Sequence, residues 1–279
     1  MIKTIVVVGV AVLAGYGAAS QAKQTMPQLI RDLGVQNDRD SATAREIGLT
    51  GEDRAGSPRA PAGALDKRNR MKIYVIGDSI SMQYGPYLQE YLKGVMDYAR
   101  KTAEEAALLD LDKAQGANGG DSSMVLSYLE GKARSGGIDA DLLLVNCGLH
   151  DIKTDPVTGA KQVNLDQYKD NLRAIVETAA SLRPKLIWIR TTPCDDAVHN
   201  QAARGIYRFS ADVDAYNQAA DRIMKEAGVP SIDLHTFTRN LGTDLYCDHV
   251  HFREDVREKQ AAFIAGWLMA FTQNEPAQP

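Results

Sequence analysis

The sequence predicts an α/β fold, a three-layer α/β/α sandwich built on a doubly wound parallel sheet, and three observations carry that reading. Short apolar runs at 72–76, 141–146 and 186–189 read as strands buried on both faces. Between them, apolar residues recur at three- and four-residue spacing, the period of a helix with one buried face. Strands separated by helices need right-handed crossovers, and hence parallel pairing. One domain of about 200 residues fits this pattern, with flavodoxin-like order and no internal repeat.

The first strand, Lys72-Ile73-Tyr74-Val75-Ile76, runs directly into Gly77-Asp78-Ser79. The helix that follows is marked by Tyr84, Tyr87, Leu88, Tyr91, Leu92 and Val95, with Ser81 available as its cap. Pro86 then belongs in the first turn, where a missing N–H costs nothing. The polar stretch 104–115 is ambiguous, with Ala107-Leu108-Leu109 as a candidate short strand. Gly116-Ala117-Asn118-Gly119-Gly120-Asp121-Ser122-Ser123 is a glycine-rich loop, and a helix over 122–134 follows it. Strand 141–146 ends in Cys147-Gly148-Leu149-His150-Asp151. A helix marked by Tyr168, Leu172, Ile175, Val176, Ala179 and Leu182 is stopped by Pro184. Strand 186–189 ends at Thr191-Thr192-Pro193. The loop 194–209 leads to a helix with Val213, Tyr216, Ala220, Ile223 and Met224 on one face, closed by Gly228. Ser231-Ile232-Asp233 is a short last strand, and the terminal helix carries Val256, Phe263, Ile264, Trp267, Leu268 and Phe271.

The N-terminus has Lys3, an apolar run from Ile5 to Ala14, and small residues up to Ala22. That is the layout of a secretory signal peptide, and the apolar run is too short for a membrane span. Cleavage is expected after Ala22, with Ala19 as the alternative and an uncleaved anchor as the competing reading. Residues 23–70 lack Phe, Trp and Tyr and mix charges with Gly, Pro, Ala and Ser, so they bury too little to offset chain entropy. They read as a flexible linker, with one short helix around 26–33. Met71 opens the folded domain, 71–275, and is an alternative start. The expected location is secreted or periplasmic, with no stable membrane insertion after cleavage.

A chain of 279 residues, 44% hydrophobic, can bury a sizeable core. Its net charge of -4 and the absence of a basic cluster exclude an electrostatic case for nucleic acid. Three cysteines allow one bridge in an oxidising compartment. Cys194 and Cys247, both in loops on the active-site side, are the candidate pair, and three reduced thiols are the alternative.

In an open parallel sheet, ligands bind beyond the carboxyl ends of the strands. There this chain places Ser79, the Gly119-Gly120-Asp121 loop, Gly148-Leu149-His150-Asp151, Asp195-Asp196, and Asp248-His249-Val250-His251. A serine nucleophile needs a base, a carboxylate to orient the base, and donors for the oxyanion. Each is present at a strand end.

The pattern resembles the SGNH hydrolases, or GDSL esterases, over most of residues 72–271. The resemblance implies that Gly77-Asp78-Ser79 supplies the nucleophile Ser79, and that Gly120 of Gly120-Asp121-Ser122 lends an oxyanion-hole amide beside that of Ser79. In Asp248-His249-Val250-His251, it makes His251 the general base and Asp248 its orienting carboxylate, with His249 a weaker candidate for base. The family's Gly-x-Asn-Asp is here Gly148-Leu149-His150-Asp151, so His150 stands where an asparagine normally donates to the oxyanion. A neutral histidine can still donate one N–H. Asp78, Asp151 and Asp195 are the candidate substrate-binding carboxylates, and no cofactor or metal is expected.

Polar loop residues such as Asp195, Asp196, His199, Asn200, Gln201 and Arg204 suit sugar hydroxyls better than a long acyl chain, and for a secreted chain the resemblance implies removal of O-acetyl groups from carbohydrates. Lipase, arylesterase or thioesterase activity is the alternative within the family. An acyltransferase or non-hydrolytic glycan-binding protein is the second alternative. A metallohydrolase using Asp195, Asp196, His199, Asp248, His249 and His251 is the third, and it lacks a recognised ligand spacing.

Overall fold

The computed structural model describes residues 70–202 and 205–274. All lie in the compact unit Asp66–Pro279. The expected signal peptide and nearly all of the linker fall on residues outside the described ones.

Five strands form one parallel sheet: β1 (Met71–Ile76), β2 (Met96–Arg100), β3 (Leu142–Val145), β4 (Lys185–Ile189) and β5 (Ser231–Ile232), in the order β2-β1-β3-β4-β5. This is the flavodoxin-like order. The helices are α1 (Ser79–Leu92), α2 (Glu104–Leu108), α3 (Ser122–Arg134), α4 (Leu165–Ala180), α5 (Asp196–Ala202), α6 (Ser210–Glu226), α7 (Leu234–Arg239) and α8 (Glu254–Asn274). They pack in two groups, α1 with α8 and α7 with α8, and α3 with α4 and α4 with α6. The central strand β3 is buried throughout, as a strand covered on both sides must be. Val256, Ile264 and Leu268 of α8 are fully buried, each such side chain contributing about 1.5–3 kcal/mol. Phe263 stacks on Phe237 at 4.2 Å and Trp267 on Phe271 at 4.9 Å, so the outer half of the α8 face is aromatic and only partly covered. Among the described residues, no helix is long and apolar enough to cross a membrane.

Several details differ from the sequence reading, among them the short helices α5, inside the expected loop 194–209, and α7. The strand at 96–100 carries no sign of its state, because it is an edge strand paired on one side only and includes Asp97 and Arg100. Val95 is therefore outside α1, which ends at Leu92. Ala107 and Leu108 lie in the short helix α2, not a strand. The cap of α1 is Asp78, whose Oδ1 accepts from Ile80 N at 3.0 Å, and this earlier start leaves Pro86 inside the helix. Ser81 instead donates to Asp78 O at 2.6 Å.

Asp151 ties two carboxyl-edge loops together. Fully buried, it accepts from Ser122 N with both oxygens, at 2.9 and 3.1 Å, and so fixes the start of α3. The expectation that Asp151 binds substrate is corrected: its oxygens are spent on the backbone and it has no exposed surface. Burial pushes its carboxyl up from 3.8 to about 7, against the downward pull of Ser122. With the folded value above the unfolded one, the folded state holds the extra proton, so stability from this group is lost as pH rises from about 4 to about 7. Asp151→Asn should therefore gain stability relative to the parent across that window, by up to about 1.4 kcal/mol per pH unit in urea unfolding. Parallel pH profiles for the two proteins would rule this out.

Candidate active site

Ser79 opens α1 at the carboxyl end of β1, the strand second from the edge. Its position is set from below by Arg100 of β2, a buried side chain that donates to Ser81 O at 3.1 Å, Ser81 Oγ at 3.2 Å and Ala117 O at 3.4 Å. One guanidinium thus pins the first turn of α1 to the glycine-rich loop. The same loop is docked directly, Gly119 N donating to Gly77 O at 2.8 Å. Gly120 has φ +72°, and a Cβ there would sit 2.8 Å from Ala114 Cβ, so a larger residue is strained in both backbone and packing. Its N–H already donates to Asn118 Oδ1 at 3.0 Å, so an oxyanion would have to share that donor or displace Asn118.

Residues 245–253 form a small hairpin. Tyr246 and Phe252 bridge antiparallel and stack at 5.0 Å, and Cys247 N donates to His251 O at 2.8 Å. Within it Asp248 Oδ1 accepts from Val250 N at 2.9 Å and His251 N at 2.7 Å. Asp248 Oδ2 lies 2.7 Å from His251 Nδ1, and His251 Nε2 lies 2.8 Å from Ser79 Oγ. One carboxylate shapes the turn and orients the ring. Burial raises the Asp248 carboxyl, but the Val250 and His251 N–H donors and the imidazole outweigh it, and the net shift is downward.

His150 lies in the turn after β3, only 2% exposed. Burial, with Lys153 and Arg208 nearby, pushes its pKa well below the usual histidine range, so the ring is neutral. Its Nδ1 is enclosed and has no partner among the described residues. The turn is anchored by Arg208, a buried arginine whose Nε donates to Leu149 O at 2.7 Å, and by Thr191 Oγ1, which donates to Cys147 O at 2.8 Å. No motif marks Arg208 in the sequence, because its role depends on a loop folding back over the sheet edge.

Two other predicted carboxylates also serve the backbone. Asp78 is 2% exposed, and its Oδ1 caps α1 by accepting from Ile80 N. Asp195 is exposed and lines a groove, with Oδ1 accepting from Val198 N at 2.9 Å at the start of α5. The groove, of about 980 Å³, runs past Asp112, Tyr246, Arg239 and Asp248 and reaches neither Ser79 nor His251. His235, in α7, is buried with Nδ1 2.9 Å from Thr191 O.

The cysteines carry no bridge: all three are free thiols, Cys147 and Cys194 buried and Cys247 exposed. The Cys194–Cys247 pair is thus overturned, although both line the groove. Burial pushes Cys194 up to about 12, leaving an unreactive thiol. The metal-ligand set read from sequence is also regrouped. Asp195 and Asp196 are bound up in helix starts, Asp196 Oδ1 accepting from Ser210 N at 2.6 Å. Asp112, which the sequence reading passed over, comes beside His249 instead, its Oδ1 3.1 Å from His249 Nε2. That contact draws Asp112 down to about 2. His199 is fully buried against His249, Nδ1 to Nδ1 3.0 Å, and burial with Arg208 lowers it to about 4.

Comparison with known proteins gives the family and the fold. The family model of the GDSL-like lipase/acylhydrolase family matches residues 75–256. A GDSL-like lipase from Bacteroides thetaiotaomicron is 14% identical with a TM-score of 0.53, covering 75% of this chain and 92% of its own. A member of the lipolytic G-D-S-L family from Veillonella parvula is 16% identical with a TM-score of 0.50, covering 73% and 99%. At such identities these structures share the fold. No curated protein matches the chain. The match over 75–256, which takes in Ser79, His150, Asp248 and His251, means that this chain belongs to the GDSL-like lipase/acylhydrolase family.

Proposed function

We propose that the protein is a secreted or periplasmic serine ester hydrolase that removes O-acetyl groups from carbohydrates. The observation that carries the reading is the continuous contact from Asp248 Oδ2 through His251 to Ser79 Oγ, at 2.7 and 2.8 Å. In this mechanism His251 Nε2 takes the Ser79 proton as Oγ attacks the ester carbonyl, and Asp248 stabilises the imidazolium that forms. The proton then passes to the leaving alcohol, and a water repeats the sequence on the acyl-enzyme. The Ser79 amide at the start of α1, the shared Gly120 amide and the His150 ring are the oxyanion donors. An unpaired buried N–H costs more than an unpaired acceptor, so the enclosed His150 Nδ1 favours the tautomer with its proton on Nε2. Nε2 then donates toward the substrate.

The groove beside Asp248 supports a carbohydrate alcohol. Its lining includes Asp195, Ser210, Arg239, Thr243 and Tyr246, which offer donors and acceptors to a polyol, beside apolar surface from Val198, Ile206 and Leu245 on which a sugar ring can rest. Export is supported by the signal-peptide pattern of residues 1–22.

Hydrolysis of an aryl acetate should fall at least about 10³-fold in Ser79→Ala. Turnover unaffected by that change would sink the mechanism. His150→Asn should keep or raise the rate, and His150→Ala should lower kcat by about 10²–10³, because asparagine restores an N–H donor and alanine does not. Equal losses in both variants would show that His150 is not a donor. A chelator should not lower the rate.

A further inference from the structure

The catalytic hairpin carries a second histidine that the relay leaves unused. His249 Nε2 lies 3.1 Å from Asp112 Oδ1 and 3.2 Å from Oδ2. One donor atom each from Asp112, His249 and His251 falls within 4.8 Å of the others. Ligands held at about 2.1 Å in tetrahedral order stand about 3.4 Å apart, so a shift of roughly an ångström closes this cluster around an ion. Two imidazoles and a carboxylate suit zinc and its neighbours, whereas magnesium and calcium prefer all-oxygen sites. The surroundings are built as such a site needs. Lys153 Nζ holds the main-chain oxygen of Asp112 at 3.3 Å, which leaves the carboxylate to His249. An ion on His249 Nε2 puts the ring proton on Nδ1, 3.0 Å from His199 Nδ1, which accepts it once His199 carries its own proton on Nε2 and gives up its 3.2 Å contact with His249 O.

We propose that Asp112, His249 and His251 bind a divalent transition ion of the zinc class, and that the ion switches the site off. Both ring nitrogens of His251 are in use, Nδ1 with Asp248 and Nε2 with Ser79. An ion on either one displaces that partner, so occupancy and proton transfer exclude each other. The inhibitory consequence rests on the serine-hydrolase reading; the ion site itself does not.

The test titrates Zn²⁺ into metal-free full-length protein by calorimetry, beside Asp112→Asn, His249→Gln and Cys247→Ser. Reaction of Ser79 with a fluorophosphonate and hydrolysis of an aryl acetate are followed over the same range, each relative to the same protein's zinc-free rate. One ion per chain is expected, bound at least tenfold more weakly in the first two variants and unchanged in the third. Ser79 labelling should fall with the same midpoint and recover in chelator. Parental affinity in both Asp112→Asn and His249→Gln would overturn the site, as would loss in Cys247→Ser alone. Zinc that binds without slowing the labelling would overturn the switch. Variant-dependent binding and zinc-sensitive labelling without ester turnover would uphold the site and count against the esterase reading.

Discussion

The 2.8 Å contact between Ser79 Oγ and His251 Nε2 joins residues 172 apart, and much of the domain serves to bring those atoms together. Ser79 is the first residue of α1, and His251 lies three residues before α8. The two helices pack on one another, with Tyr87 donating to Glu254 at 2.6 Å and Tyr91 to Glu258 at 3.1 Å. Helix packing is stiff because interiors are close-packed. Sealing one long apolar contact therefore brings Ser79 and His251 together from opposite ends of the domain.

The remaining groups at the sheet edge are polar yet buried, a costly arrangement unless each finds a partner. Arg100 joins the first turn of α1 to the Ala117 carbonyl, Asp151 holds the Ser122 amide, and Arg208 holds the Leu149 carbonyl. These residues make the loops rigid without touching the reaction. His150 keeps an enclosed nitrogen with no hydrogen-bond partner among the described residues, as Arg100 does at Nε. Neutral from burial, the His150 ring can stand for an amide donor without adding charge to the site.

The same hairpin sets two carboxylate–histidine contacts side by side. Asp248 captures one histidine by accepting from its ring and its backbone, and Asp112 captures the neighbouring one from a different loop. Alternating residues at a turn place His249 and His251 with ring centroids 6.0 Å apart, one toward the serine and one toward the groove.

The sequence by itself determined the alternation of strands and helices, the parallel sheet, and the carboxyl-edge positions of Ser79, Gly120, His150, Asp248 and His251. These depend on local period, on turn residues and on short motifs, and such signals survive without knowledge of what packs where. Only the tertiary structure decided the rest. It made a strand of 96–100, whose pairing with β1 outweighs its weak local preference. It turned Asp78 and Asp151 into backbone acceptors, left Cys194 and Cys247 unbridged, and brought Asp112 and Arg208 to the site. Hydrogen-bond partners and burial are properties of neighbours in space, and for these residues the neighbours lie tens of positions away in the chain.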